Sequence, residues 1–454
     1  MTTRISSGEH RELSPITRSD IDAYFHAAAR PPSAWRLGAE FEKLALYRDS
    51  GLQVPYEGPD GIRHIITQLA ERFGWTPHYD HGHIIALLRD GASITLEPGG
   101  QLELSSSVCD DLHGLSAEVN RHLEELRALV DPERVAWVAI GMTPYSHIED
   151  ISIVPKGRYL IMDQYLPPLS PMARYMMRGT TSVQAAFDFS SEADAVRKFV
   201  ASISFSPVVN CIFGNAPLYG GQPTGDVSFR GRIWKGMDPA RSGLLPRVVR
   251  QGEFSFQRWI DYLLDAPMMF YCIDEVFTSA KGRTFRDYMA TGYDGHLPTM
   301  EDWELHLTSI FPEVRLKKYL EVRGADCVAL PLAMAIPAIW KGIFYDQVAL
   351  DGALELAKEI PAEARDELFQ TSFQRGLRGT YRGRTLVQWG RDVLALAAEG
   401  LKRQAQSGGF EDESRYLESA LEVLDRGTSP GALLLEHWPS LASSPPALVR
   451  AIEY

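Results

Sequence analysis

Two short segments near the N-terminus place carboxylates in otherwise apolar, strand-like sequence. The first contains Glu40 and Glu42, and the second contains Glu97 and Glu103 on either side of a Pro-Gly-Gly turn at residues 98–100, where the backbone could approach a ligand closely. In an extended strand, residues i and i+2 share a face, so Glu40 and Glu42 point together. An isolated buried carboxylate is strongly unfavourable, so four at one site imply a bound cation, and oxygen ligands suit Mg²⁺ or Mn²⁺. The alternative is that these acids lie on the solvent face of ordinary half-buried strands.

Basic side chains elsewhere in the chain could complement these acids. Lys156 and Arg158 lie in a long, proline-punctuated stretch, and Arg230 lies in a glycine-rich segment. Glu321 and Arg323 end an apolar run and would share one strand face. In that arrangement the carboxylate can hold a cation while the guanidinium grips a phosphate, and a simple salt bridge is the alternative. Opposite charges on one wall favour a magnesium–nucleotide complex.

Familiar nucleotide-binding and nucleophile motifs are absent from the sequence. It contains no GxxxxGK[ST], no GxGxxG that opens a helix after a strand, and no GxSxG. A nucleotide would therefore be bound by metal-loaded carboxylates and arginines on a sheet.

The composition bounds the class of protein. With 454 residues, 45% of them hydrophobic, the chain can bury one large core or two ordinary ones. The net charge of −13 argues against a sequence-independent nucleic-acid binder, because neutralising phosphates needs a basic face. We find neither an apolar run of about eighteen residues nor a signal-peptide core, so we expect a cytoplasmic protein that does not bind membranes.

The cysteines and histidines show no pattern typical of disulfides or zinc. The cluster of His78, His81 and His83 is interpreted as a polar loop rather than a metal site. The cysteines, which are scattered and lack CxxC spacing, are expected to be reduced thiols: Cys109, Cys211, Cys272 and Cys327.

The spacing of apolar residues predicts the elements that must hold these side chains. Helical periodicity predicts helices over residues 17–29, 61–73 and 112–126. Alternating or mixed stretches predict antiparallel, one-sided strands over residues 36–47, 83–88 and 93–104, and two further strands are expected over residues 135–142 and 182–189. The stretches 143–171 and 214–243 are expected to be loops, the second facing a ligand, and the chain from residue 345 is expected to be helical.

No linker or internal repeat divides the chain. We therefore expect a single catalytic domain over residues 1–454, with core motifs at about 36–346 and a helical C-terminal extension at about 347–454.

Six segments follow one another along the core region. They read GAEFEK at 38–43, SITLEPGGQLELS at 93–105, PKGRY at 155–159, DFSSEAD at 188–194, IFPEVRLK at 310–317 and YLEVRGAD at 319–326. Together they resemble the plant and proteobacterial type of glutamate–cysteine ligase, and weaker similarity continues to the C-terminus. The resemblance implies an α+β, glutamine-synthetase-like fold, in which a curved, mostly antiparallel sheet forms an active-site funnel with helices outside.

The resemblance also implies the reaction. ATP would phosphorylate the γ-carboxylate of L-glutamate, and the amine of an amino acid would then attack the γ-glutamyl phosphate to form an amide, with cysteine as the default acceptor and glutathione biosynthesis as the setting. Two or three Mg²⁺ ions, or Mn²⁺, would be held by Glu40, Glu42, Glu97, Glu103 and Glu321. Arg323 and Glu321 would be the catalytic pair, with ATP bound by Lys156, Arg158 and Arg323. The enzyme is expected to be a monomer or homodimer.

The amino-acid pocket implied by the resemblance departs from the family pattern. Arg230 and Trp234 match positions that hold the donor glutamate, and the other pocket positions are Thr180, Gln184 and Ala186. Ala186 replaces a family asparagine, Phe41 replaces a histidine, and Gly179 lies where plant forms have arginine. Each change makes the site less polar or roomier, so a non-cysteine, less polar acceptor in specialised metabolism is the alternative. A catalytically silent regulatory homologue is the alternative of another class.

Overall fold

The central feature of the protein is a nine-stranded sheet whose strands differ in length. The structure is a computed structural model that describes residues 14–249 and 252–454. The strands of the sheet are β1 Leu37–Tyr47, β2 Thr76–Asp80, β3 His83–Arg89, β4 Ala92–Leu96, β5 Leu102–Ser105, β6 Val135–Val138, β7 Ser182–Phe187, β8 Val314–Leu316 and β9 Leu320–Asp326.

The strand order is β8-β9-β7-β1-β5-β4-β3-β2, with β6 pairing with the second half of β1. Every pairing within this sheet is antiparallel, which confirms the predicted sheet type. The sheet is one-sided around β1: Phe41, Leu104 and Val183 are buried in the main hydrophobic core, while the acidic side chains of β1 and β5 occupy the alternate positions.

Helices surround the sheet. Among the described residues they are α1 Arg18–His26, α2 Ile62–Phe73, α3 Leu112–Arg127, α4 Gly157–Tyr165, α5 Ala173–Gly179, α6 Glu192–Ile212, α7 Phe229–Lys235, α8 Phe256–Asp265, α9 Phe285–Thr291, α10 Met300–Leu307, α11 Leu330–Ala333, α12 Ala335–Phe344, α13 Gln347–Ala357, α14 Arg365–Arg375, α15 Leu386–Gly408, α16 Glu418–Arg426, α17 Pro430–Leu441 and α18 Pro445–Ile452. Short two-stranded pairs complete the fold, the longest being the hairpin of Phe270–Ile273 and Val276–Ser279.

Side-chain caps fix where the predicted helices begin. α1 starts at a capping box in which Thr17 and Asp20 bond to each other's backbone N–H groups. Ser191 accepts a hydrogen bond from the backbone N–H of Asp194 and so begins α6.

Two stretches that were expected to be loops contain helices. α4 lies within residues 143–171, and α7 lies within residues 214–243. Both helices are short, and the prolines and glycines around them hide their periodicity from the sequence. As a result, Arg158 and Arg230 are held on helices rather than on loops.

α6 is the buried axis of the helical layer. It is long and apolar enough to cross a membrane by length and composition, and 83% of its most apolar window is buried inside the protein, which is typical of a core helix. From residue 345 onward the described chain is mainly helical, and α13, α14 and α15 pack against α6. The division into one catalytic domain with a C-terminal extension stays a prediction.

Candidate active site

The carboxylates of β1 and β5 lie opposite each other on one face of the sheet. Glu42 is the register partner of Glu103, and Glu40 is the partner of Gln184 on β7. Because successive residues of a strand point to opposite faces, Glu40 and Glu42 point together, as the spacing predicts. A row of acidic side chains thus crosses the middle of the sheet.

A narrow cavity opens over this row. Its lining combines the sheet with α4, α5 and α7, and consists of Glu40, Glu42, Glu97, Pro98, Gln101, Glu103, Met162, Met176, Thr180, Ser182, Gln184, Arg230, Trp234, Phe311 and Arg323. Most of the residues predicted to form the site therefore meet in one place. The predicted site residues outside this lining are Lys156, Arg158, Ala186 and Glu321. The binding roles of both groups stay predictions.

Burial and like charges act together on the acids of the cavity. Burial raises the pKa of Glu42 to about 8, and the nearby Glu97 and Glu103 carboxylates add to the shift. Burial and Glu103 likewise raise the pKa of Glu97 to about 7. Glu103 thus makes both Glu42 and Glu97 harder to ionise, and Glu97 adds to the effect on Glu42, which is the expected behaviour of clustered acids.

These carboxylates fit a divalent cation by charge. Within residues 14–249 and 252–454, no three His, Cys, Asp or Glu side chains converge closely enough to form a metal site as they stand. Even so, Oε1 of Glu97 is buried with no hydrogen-bond partner among the described residues, and burial together with acidic neighbours raises the pKa of Glu42 and of Glu97. A cation would relieve both features. A magnesium site at these residues stays a prediction.

Glu321 is placed differently from the other four predicted metal ligands. Its carboxylate pairs with Nε of Arg315 and with Nζ of Lys317, the latter at 2.8 Å, while Nη1 of Arg323 lies 3.7 Å from it. Although burial alone would raise it, the pKa of Glu321 is held well below its ordinary value by these three cations. The alternative of a salt bridge therefore describes Glu321 better than a metal ligand does, since its charge is already neutralised.

Arg230 is also used differently from the prediction. Its guanidinium donates from Nη1 to the carbonyl of Gly324 at 2.8 Å and from Nη2 to the carbonyl of Arg323 at 3.1 Å. These carbonyls lie at the irregularity in the β7–β9 pairing between Val322 and Ala325. Although Arg230 lines the cavity, two of its donors hold the backbone that carries Arg323, rather than standing ready for a substrate carboxylate.

Lys156 and Arg158 act on the site through charge. Both side chains are buried, and their charged groups lie over the ring of Tyr159. The hydroxyl of Tyr159 donates to the carbonyl of Leu96 at 2.6 Å. This bond ties α4 to the residue before Glu97. Burial, reinforced by Arg158, lowers the pKa of Lys156 to about 7. The two cations lie close enough to lower the pKa of Glu97, against the stronger effect of burial.

Besides Oε1 of Glu97, two buried polar atoms of the cavity wall have no hydrogen-bond partner among the described residues, namely the indole Nε1 of Trp234 and the amide Oε1 of Gln184. The amide nitrogen of Gln184 is occupied, because it donates to Glu42 and to Ser182, each at 3.1 Å. Since buried polar groups are normally satisfied, these two atoms are positioned to bond a ligand. The hydroxyl of Thr180 instead donates to the carbonyl of Met176 at 2.8 Å.

Two of the three substitutions predicted to make the amino-acid pocket roomier or less polar, at Phe41 and Gly179, lie outside the cavity. Phe41 belongs to the hydrophobic core on the opposite face of β1 from Glu40 and Glu42. A Cβ on Gly179 would lie 2.7 Å from the Cε of Met142, so that space is already filled. Ala186 is half-buried on the face of β7 that carries Gln184. The expectation of a roomier, less polar pocket is therefore wrong for Phe41 and Gly179.

The turn at residues 98–100 approaches protein rather than ligand. A Cβ on Gly99 would lie 2.2 Å from the carbonyl oxygen of Arg178, so only glycine fits there. Gln101 fixes the turn by accepting from the Gly99 N–H at 2.8 Å and donating to the Thr180 carbonyl at 3.0 Å. Glu97 and Thr180 are thereby held on neighbouring walls of the cavity.

Sequence reasoning missed three residues that hold the acids in place. The backbone N–H of Ser182 donates to Glu42 at 2.7 Å, and Arg315 and Lys317 surround Glu321. Arg315 and Lys317 alternate along one strand in the 310–317 segment, so their shared face was readable from the spacing. No sequence signal marks the contact of Ser182, because it is made by the backbone.

The interpretation of His78, His81 and His83 as a polar loop is wrong for two of them, because His78 lies on β2 and His83 on β3, with only His81 in the turn between these strands. Within the described part of the chain the three histidines belong to no group of metal-ligating side chains. All four cysteines are free and buried.

Comparisons with known proteins agree with the geometry. A sequence profile described as glutamate-cysteine ligase family 2 matches residues 36–444. The chloroplastic glutamate–cysteine ligase of Medicago truncatula is 39% identical over 425 residues, which cover 93% of this chain and 82% of that protein. The chloroplastic glutamate–cysteine ligase A of Oryza sativa subsp. indica is 38% identical over 424 residues, which cover 93% and 84%.

A solved structure shows the same fold. The crystal structure of a glutamate–cysteine ligase from Francisella tularensis in complex with AMP aligns with a TM-score of 0.52 at 13% identity, over 92% of this chain and 88% of that one.

The predicted cytoplasmic location is contradicted by these relatives. The matching enzymes of Medicago truncatula, Nicotiana tabacum and Oryza sativa are all named chloroplastic rather than cytoplasmic. The prediction rested on the lack of an apolar signal-peptide core. Plastid transit peptides have no such core, so that criterion cannot separate the two locations.

Proposed function

The chain belongs to glutamate-cysteine ligase family 2, and from that membership we propose that it uses ATP to join the γ-carboxylate of L-glutamate to the amine of cysteine. The observation that carries the proposal is the cavity in which Glu42, Glu97 and Glu103 face Arg323. A phosphoryl-transfer site needs this combination of clustered acids and a cation, because such catalysis rests on positioning and electrostatics.

The acidic row is the proposed site for magnesium–ATP. Glu40, Glu42, Glu97 and Glu103 would hold the divalent ions, which when bound neutralise the triphosphate and orient its γ-phosphoryl group. Glu321 is left out of this set because Arg315 and Lys317 already compensate its charge. Lys156 and Arg158 flank the Glu97 end of the row and are the proposed contacts for the phosphates.

Arg323 is the proposed stabiliser of the transferring phosphoryl group. Arg323 lines the cavity. Its Nη1 lies 3.7 Å from the carboxylate of Glu321, and this ion pair holds the guanidinium at the sheet face. In the first step, an oxygen of the glutamate γ-carboxylate bonds to the γ-phosphorus and ADP leaves. In the second step, the amine attacks the γ-carbonyl carbon, inorganic phosphate leaves, and the nitrogen loses a proton.

The donor glutamate is proposed to lie against Trp234 and Gln184. The indole N–H of Trp234 can donate to a carboxylate, and the carbonyl of Gln184 can accept from an ammonium group, since both atoms are buried and have no partner in the described protein. Cysteine is the proposed acceptor. Two of the three substitutions that suggested a different acceptor lie outside the cavity, as shown for Phe41 and Gly179.

The proposal is tested by mixing the purified protein with ATP, magnesium, glutamate and single amino acids. We expect ADP release that depends on glutamate and is greatest with cysteine, together with a product of the mass of γ-glutamylcysteine. Glu97→Gln should abolish ADP release, whereas Glu124→Gln, on the exposed face of α3, should leave it unchanged. Lack of ADP release with every amino acid would reject the ligase function, and a preference for another amino acid would reject cysteine.

A further inference from the structure

A second cavity lies among the helices, outside the carboxylate site. It has a volume of about 490 Å³ and is bounded by α3, by α11 and the residue before it, by the segment leading into α16, and by Tyr454. Ligand pockets for small molecules typically measure about 300–1,000 Å³. None of its lining residues lines the carboxylate cavity.

The floor of this cavity is apolar. Leu123 of α3 and Met334, at the junction of α11 and α12, are both buried side chains in the lining, and Leu330 and Pro331 complete an apolar wall. A ligand that fills the cavity therefore needs an apolar portion, because it removes these side chains from water.

The rim of the cavity carries both signs of charge. Arg127 is exposed and makes no ion pair or hydrogen bond with the described residues. Arg415 is already paired with Glu411 at 3.0 Å and donates to His113 at 2.8 Å. Glu418 is an exposed carboxylate in the same lining. The rim thus offers a guanidinium for a carboxylate and a carboxylate for an ammonium group.

This distribution selects one class of ligand. A polyphosphate would meet Glu418 as a like charge, and a purely apolar molecule would make no use of the exposed charges of Arg127 and Glu418. A zwitterionic amino acid with an apolar side chain satisfies the guanidinium, the carboxylate and the floor together. We propose that this cavity is a second binding site for such an amino acid, distinct from the substrate site.

The cavity also borders the active-site strand. Ala329 and Leu330 follow β9 closely, and the hydroxyl of Tyr454 lies 3.0 Å from the Sγ of Cys327, the residue directly after β9. A ligand in this cavity therefore contacts the segment that continues from Arg323. The proposal itself concerns binding and does not depend on the ligase function.

The test measures binding of L-methionine to the whole protein by calorimetry, without ATP or glutamate. We expect saturable binding that Arg127→Gln and Glu418→Gln each weaken about tenfold or more, since each removes a charge-assisted contact. Arg391 of α15 is an exposed arginine that pairs with Asp425, and it serves as the control. The Arg391→Gln variant should bind methionine like the unaltered protein. L-Methioninamide, which lacks the carboxylate, and N-acetyl-L-methionine, which lacks the ammonium group, should both bind weakly.

Absence of saturable binding would overturn the proposal. So would binding that both Arg127→Gln and Glu418→Gln leave unchanged, because methionine would then occupy the acceptor part of the active site. Both altered residues are exposed, so circular dichroism of the variants is expected to match that of the unaltered protein. A failure of the variants to fold would contradict the assignment of these side chains to a solvent-facing rim.

Discussion

Glu42 stands directly opposite Glu103 across the β1–β5 ladder, and both side chains are buried, at 8% and 1% exposure. Like charges opposite one another destabilise a sheet, and burial makes the repulsion stronger. The protein without bound ions therefore holds electrostatic strain at the centre of its largest sheet. That strain makes the stability of the fold a direct reporter of what the carboxylates bind.

The first prediction concerns the pH dependence of stability. The pKa values of Glu42 and Glu97 are raised in the folded protein, to about 8 and about 7, above the ordinary glutamate value. The folded state therefore binds more protons than the unfolded chain, and the stability gained below the unfolded pKa is lost as the pH rises through the folded pKa. The lowered pKa of Lys156, about 7, acts in the opposite direction over part of the same interval, because the unfolded chain keeps a proton that the folded Lys156 loses. We therefore expect the melting temperature of the magnesium-free Glu42→Gln variant to rise by several degrees relative to that of the unaltered protein between about pH 5.5 and about pH 8.5.

Magnesium should remove most of that pH dependence, because a bound cation favours the ionised carboxylates. Differential scanning fluorimetry with and without magnesium measures both effects. A difference in melting temperature between Glu42→Gln and the unaltered protein that stays constant over this pH interval in magnesium-free buffer would contradict the raised pKa of Glu42.

The second prediction concerns the charge of Glu42 itself. Glu42→Gln keeps the shape of the side chain and removes the charge that Glu42 acquires as the pH rises through about 8, so above that pH the magnesium-free protein should melt at a higher temperature. Turnover should fall by about 10²-fold or more, because a proposed ion ligand is lost. Glu118→Gln changes a carboxylate outside the cavity that accepts hydrogen bonds from Ser107 and should not raise the melting temperature. A destabilised Glu42→Gln protein would argue against repulsion at the ladder.

The third prediction distinguishes two roles for Arg230. If its guanidinium mainly holds the carbonyls of Arg323 and Gly324, Arg230→Lys should lower kcat and the melting temperature, since one ammonium group cannot make both bonds in this fork geometry. If Arg230 mainly binds glutamate, the KM for glutamate should rise while kcat and stability stay constant. We expect the first pattern. Steady-state kinetics with varied glutamate, beside thermal melts, separates the two.

The sequence predicted which side chains share a strand face better than it predicted which residues those side chains contact. Alternation placed Glu40 with Glu42 and Glu321 with Arg323, and the structure agrees on both pairs. The same rule also turns Phe41 away from the site, so its position was readable from the spacing even though the family comparison suggested otherwise.

Partners depend on strand order, which one sequence does not reveal. Glu321 is neutralised by Arg315 and Lys317 because β8 and β9 are antiparallel neighbours. Arg230 reaches Gly324 because α7 crosses the irregular part of β9, and no local pattern in the 214–243 segment indicates that contact. Part of the predicted ligand-facing loop at residues 214–243 is the helix α7. Tertiary packing stabilises such a short helix, and helix propensity alone does not reveal it.

The last prediction concerns the indole of Trp234. Its Nε1 is buried without a partner in the cavity wall, and the ring packs edge-on against Phe311 with the guanidinium of Arg230 nearby. Trp234→Phe keeps an aromatic ring there and removes the N–H donor. A hydrogen bond to a charged group contributes about 1.5–3 kcal/mol, so the KM for glutamate should rise about tenfold to a hundredfold. The KM for ATP should stay constant, because no phosphate contact is assigned to this residue.

Trp438→Phe, which alters a ring that packs against the smaller hydrophobic cluster, serves as the control for losing an indole. An unchanged KM for glutamate in Trp234→Phe would mean that the donor amino acid lies elsewhere in the cavity, and the amide oxygen of Gln184 would then be a group positioned to accept from its ammonium group.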